Sequence, residues 1–287
     1  MNPEIEGRDA AAQFRREHRL GNQPLGDLVA LIEQTTGNDV AVLDGGRDEH
    51  GLTMRDSTRE AVFIAVARTK NPMRQRTTLA HELAHVVFGD WAIENVGDPR
   101  PPHEIRADAF ARHLLIPVDG VKHIVGGESA DLSTLSTCVQ LFGVSPAVAA
   151  IALCQAGCID SPTKEQWMAM TTPQIAARFG WADQYESLRT QSDTRRAPQK
   201  LLARAIGGYI ENVVPAQTLA TLRGMPVGDV VESLNEDGIT PLEHQTQWAS
   251  ADALPTVDVD FTDWEDDDSD DDSDDDSDDD SDEDPAG

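Results

Sequence analysis

Cysteine is scarce in this chain. Three in 287 residues (Cys138, Cys154, Cys158) cannot all pair, and their spacing fits no zinc knuckle. They are expected as reduced, mostly buried thiols of a cytoplasmic protein. A long apolar run is also missing. No stretch approaches the roughly 20 apolar residues of a membrane span, and the longest patch, Val144 to Leu153, is interrupted by Pro146. The opening MNPEIEGRDAAAQFRREHRL is charged and lacks the apolar segment of a secretory signal. Basic residues are few, 23 Lys and Arg against 52 Asp and Glu. Residues 263–284 hold 17 acidic side chains and no basic one, which is more than half of the net charge of −29. With no basic face suggested, neither nucleic acid nor a membrane is an expected partner.

Apolar residues make up 39% of the chain, enough to build a core. Helical spacing runs over Asp9–Glu17 and Leu25–Glu33. Val40–Leu43 reads as a strand, Gly51–Met54 as a short one, and AVFIAVA at Ala61–Ala67 as the clearest. A helix is expected from about Arg76 to Phe88, and after a proline-rich loop another from about Glu104 to Leu115. Residues 131–157 form a helix pair around Gly143-Val144-Ser145, a turn resembling a helix-turn-helix, though without the Arg and Lys clusters that phosphate contact needs. Residues 163–245 look helical again. The tail then repeats Asp-Asp-Asp-Ser four times over 266–281, a run that repels itself and cannot bury a core.

The unusual chemistry lies in His81-Glu82-Leu83-Ala84-His85. Histidines four apart on a helix lie about 40° apart around its axis, so both imidazoles can face one ion. Glu82 then falls beside the metal, where a general base belongs. Glu104 is the third ligand candidate, at the start of a helix that can fold back on the first, with His103 its nearest rival. Two histidines and a carboxylate leave a fourth zinc position open, as a catalytic site requires. Asp108, one turn beyond Glu104, can accept a hydrogen bond from a ligating histidine. Arg74, Arg76, His103 and His113 are candidates for stabilising an oxyanion. The strand Ala61–Ala67, just before the metal helix, is the expected edge for pairing an extended substrate.

The series AVFIAVA, HELAHVVFGD, EIRADAFARHLLIP resembles the ImmA/IrrE family of metallopeptidases, which belong with the gluzincin-type zinc peptidases. The resemblance spans roughly residues 8–160, helix pair included. It implies Zn2+ at His81, His85 and Glu104, with Glu82 catalytic. It also implies a protein substrate, a helix-turn-helix repressor of phage, mobile-element or stress regulation. The expected fold class is α+β: a zincin-like peptidase core with a small antiparallel sheet and the HExxH helix, then a mostly helical C-terminal region and a disordered acidic tail. The expected divisions are 1–125 for the metallopeptidase domain, 126–160 for the helical hairpin, 161–247 for a helical extension and 248–287 for the tail. The alternative function is a non-cleaving, antitoxin-like regulatory binding protein whose metal is structural.

Overall fold

Asn2 and Pro3 start the first helix earlier than its apolar spacing predicts. The Asn2 side chain caps it by accepting from the Glu4 amide, and proline suits the first helical turn. In the computed structural model, which describes residues 2–45, 51–91, 100–127 and 129–243, this helix is α1 (Pro3–Glu17). Helix α2 (Leu28–Thr36) is capped by Asp27 and closed by Gly37 in the left-handed region. Three strands follow: β1 (Asp39–Leu43), β2 (Gly51–Asp56) and β3 (Ala61–Ala67). Then come α3 (Pro72–Phe88), α4 (Pro102–Leu115), α5 (Val118–Val125), α6 (Leu132–Phe142) and α7 (Pro146–Gln155). The remainder is helical: α8 (Ser161–Met168), α9 (Thr172–Arg178), α10 (Ala182–Ser192), α11 (Gln199–Ile210), α12 (Ala216–Arg223) and α13 (Val227–Glu236). The class is α+β, as expected. The acidic tail lies outside the described residues.

The sheet corrects two expectations. Its order is β1-β3-β2, with β3 antiparallel to β2 but parallel to β1, so the sheet is mixed rather than antiparallel. β3 is therefore the central strand, hydrogen-bonded on both sides, and cannot offer an edge to a substrate. One face of β3 is buried through Ile64 and Val66, while Phe63, Ala65 and Ala67 on the other face are half-buried. The outer edge of β1 is bridged at Val42 by Arg196 through two backbone hydrogen bonds of 2.8 and 2.9 Å. Among the described residues, the outer edge of β2 is the one left unpaired.

One hydrophobic core joins α1, the sheet, α3, α4 and the α6–α7 hairpin, and reaches Tyr185 on α10. Phe110 is fully buried at its centre, edge-on to Phe14 and Phe88 at 6.1 and 6.2 Å, a geometry that aromatic pairs favour. α1 lies directly on α4 because Gly7 has no side chain. A Cβ there would land on the Arg106 carbonyl oxygen and 2.8 Å from the Phe110 amide nitrogen. Arg15, 4% exposed, fastens the same pair of helices by donating to the Leu114 carbonyl. α6 and α7 are bent by 112° to one another, and α7 buries Ala149, Ala150, Ala152 and Leu153. A second, smaller core gathers Ala205, Tyr209, Leu219, Ala220, Val230 and Leu234 from α11 to α13. Among the described residues no single helix is long and apolar enough to cross a membrane.

Candidate metal centre

Helix α3 begins at Asn71, whose side chain accepts from the Arg74 amide, with Pro72 in its first turn. Glycine ends it. Gly89 turns left-handed and donates to the Val86 carbonyl, while the Asp90 amide donates back to the His85 carbonyl. This Schellman-type closure reverses the chain and brings Asp90 under His85. Within the helix, Leu79, Ala80, Leu83 and Ala84 are buried. That anchors one face and leaves His81 and His85 stacked one turn apart on another, ring centroids 4.8 Å apart. Helix α4 starts at Pro102, so Glu104 falls in its first turn, where the helix dipole favours a carboxylate.

The three residues converge. His81 Nε2 and His85 Nε2 are 3.1 Å apart. Glu104 Oε2 lies 3.1 Å from His81 Nε2, and its Oε1 3.8 Å from His85 Nε2. Ligands about 2.1 Å from a tetrahedral ion stand about 3.4 Å from one another, so these separations suit one cation. The outer ring nitrogens say the same. His81 Nδ1 is 3.0 Å from Asp108 Oδ1, and His85 Nδ1 is 3.3 Å from Asp90 Oδ2. An ionised carboxylate can only accept, so each Nδ1 carries the proton and each Nε2 turns a lone pair inward. Two lone pairs and a carboxylate at this range repel unless a cation sits among them. The donor set fits a divalent transition metal.

Electrostatics agree with the geometry. Burial alone would push His81 down, but its hydrogen bond to Asp108 and the charges of Asp108, Glu104 and Glu82 outweigh it and hold the imidazole above its ordinary pKa. Asp108 is held below the usual carboxylate range, first by His81 and then by Arg100, against the opposing effect of burial.

Glu82 faces the sheet. It is buried, and its Oε2 accepts from the Thr53 hydroxyl at 2.7 Å. Of the four oxyanion candidates, His103 is brought beside the triad, its Nε2 3.4 Å from Glu104 Oε1. Arg76 is instead committed to the carbonyl oxygens of Leu25 and Gly26, both at 2.7 Å. His113 sits against α1 near Glu4. Arg74 is seven residues before His81 on α3, about 10 Å along the axis.

Sequence reasoning missed Asp90, Arg106 and Thr53. Arg106 donates to Asp90 Oδ1 at 2.7 Å and to Glu6 Oε1 at 2.9 Å, and its guanidinium lies 4.0 Å over the Phe88 ring. A chain of contacts thus runs from α1 through α4 to the end of α3 and on to His85. Asp90 had a readable signal, since it directly follows the helix-closing Gly89. Arg106 and Thr53 had none, because their partners are 16 to 100 residues away.

Residues 45–153 match the family model described as Peptidase_M78, IrrE N-terminal-like domain. The match takes in β2, β3, the HELAH helix, Glu104 and most of the α6–α7 hairpin. It supports a metallopeptidase-type function. No curated protein matches the chain.

Proposed function

We propose, from the premise that residues 45–153 are an IrrE N-terminal-like peptidase domain, that this chain is a zinc-dependent endopeptidase acting on a protein substrate. The observation that carries the reading is the convergence of His81 Nε2, His85 Nε2 and Glu104 beside the buried carboxylate of Glu82. Zinc held there would lower the pKa of a water and polarise the scissile carbonyl. In that site Glu82 would take a proton as the water oxygen bonds to the scissile carbonyl carbon, and would return it to the amine nitrogen as the C–N bond breaks. Asp108 and Asp90 keep the two imidazoles turned inward. His103 is the residue placed to meet negative charge developing near Glu104. The substrate lies extended along the edge of β2 that is unpaired among the described residues, where its backbone can complete the sheet.

The resemblance to the ImmA/IrrE family supports a helix-turn-helix repressor as substrate, and the free cysteines support a cytoplasmic setting. The hairpin 126–160 is read as a part that docks that substrate. α7 carries no charged side chain, which does not suit contact with phosphates. The rival reading, a regulator that sequesters its partner around a structural metal, gives Glu82 no task.

Elemental analysis tests the site first. About one zinc per chain is expected, weakened in Glu104→Ala and lost in the His81→Ala/His85→Ala double variant. Glu82→Gln should keep the zinc and lose cleavage. Loss of repressor function that survives Glu82→Gln would favour sequestration.

A further inference from the structure

The general base does not stand alone in its cleft. Glu82 is 9% exposed, and a carboxylate that buried needs a donor. The donor comes from the sheet rather than from its own helix. The Thr53 hydroxyl lies 2.7 Å from Glu82 Oε2 and 3.3 Å from the Glu82 carbonyl oxygen. The other carboxylate oxygen also faces β2. A Cβ at Gly51 would land against Glu82 Oε1 and 2.8 Å from its Cγ. Gly51 and Thr53 sit two apart on one strand, so they share a face. Leu52 and Met54, on the opposite face, are about half exposed at 52% and 48%. One face of the edge strand is therefore shaped around the base, the glycine leaving room for the carboxylate and the threonine holding it.

We infer that Thr53 is a positioning residue for Glu82. Its hydroxyl fixes the rotation of the carboxylate, leaving the remaining lone pairs in one orientation for proton transfer. The same strand has the edge, unpaired among the described residues, along which the substrate is proposed to pair. A peptide that settles on β2 thus docks against the element that orients the base. The assignment rests on the peptidase reading above. A purely structural hydroxyl would stabilise the fold without affecting turnover, and that difference can be measured.

The test uses the full-length protein in two measurements. Melting temperatures are taken for Thr53→Val, Glu82→Ala and the double variant. If the contact exists, the two single losses together exceed the loss in the double variant by about 2 °C. Turnover is then measured with a quenched fluorogenic peptide library, taking the peptide that the wild type cuts fastest. Thr53→Val should lower kcat about tenfold at unchanged KM, and Thr53→Ser, which keeps the hydroxyl, should restore it. Strictly additive melting losses would overturn the contact. Coupled melting with unchanged kcat, or with Thr53→Ser as slow as Thr53→Val, would overturn the positioning role. A wild type that cuts no peptide would sink the peptidase reading and this assignment with it; coupled melting alongside would show that the contact itself had survived.

Discussion

Two carboxylates hold the two histidines, and they differ in a way that predicts different consequences of removing them. Asp108 lies 3.0 Å from His81 Nδ1 with a side chain 45% exposed, and its other oxygen meets Arg100. Asp90 lies 3.3 Å from His85 Nδ1 with a side chain 6% exposed, and it also receives the Arg106 guanidinium at 2.7 Å. At the proposed zinc site each carboxylate orients a ligand, so Asp108→Ala and Asp90→Ala should each weaken zinc binding by about 10- to 100-fold, or about 1.4–2.7 kcal/mol. Their effects on the metal-free fold should separate. Water can replace the exposed Asp108, so its loss should cost about 0–1 kcal/mol. Removing Asp90 leaves Arg106, 19% exposed, with Glu6 as its remaining carboxylate partner, at about 2 kcal/mol for the lost charged hydrogen bond, or about 4–8 °C in melting temperature. Chelator competition measures the first effect, and melting in excess chelator the second. Unchanged zinc affinity in Asp108→Ala, or equal melting losses in the two metal-free variants, would refute the reasoning.

Gly7→Ala should lower the melting temperature by about 4–8 °C, from about 2 kcal/mol of overpacking where α1 meets the α4 backbone. An unchanged melting curve would mean that the two helices are not in that contact. His113 is 8% exposed, and its pKa is pushed down to about 4, first by burial and then by Arg112. The unfolded chain therefore binds its proton first, and stability falls as pH drops below the ordinary value of 6.5 and levels off near 4. Urea unfolding should show the wild type losing about 3 kcal/mol more than His113→Gln between pH 7 and pH 4. Burial raises Cys138 to about 12, whereas Cys154 and Cys158 are partly exposed. A thiol reagent should label the latter two and spare Cys138 until the protein unfolds.

How much could be read in advance depended on how local the cause was. The HELAH spacing, the helix it rides on and the apolar β3 are set by residues within a turn or two of one another, and each is found where it was expected. Helix starts were read late, because Asn2-Pro3 and Asn71-Pro72 begin α1 and α3 before the apolar pattern does. The role given to Ala61–Ala67 was wrong for a different reason. A strand shows its burial in its own residues, but whether it lies at the centre or edge of a sheet depends on its partners.

The sequence by itself determined which atoms could hold a metal, since imidazoles four apart on a helix must share a face, and it determined that a carboxylate would sit beside them. Only the tertiary structure decided what surrounds those atoms. Gly7 let α1 lie on α4, so Arg106 could span Glu6 and Asp90 and hold His85. The strand order put β2 at the edge and turned Thr53 toward Glu82. Such contacts form between residues tens of positions apart, where packing rather than periodicity selects the neighbour.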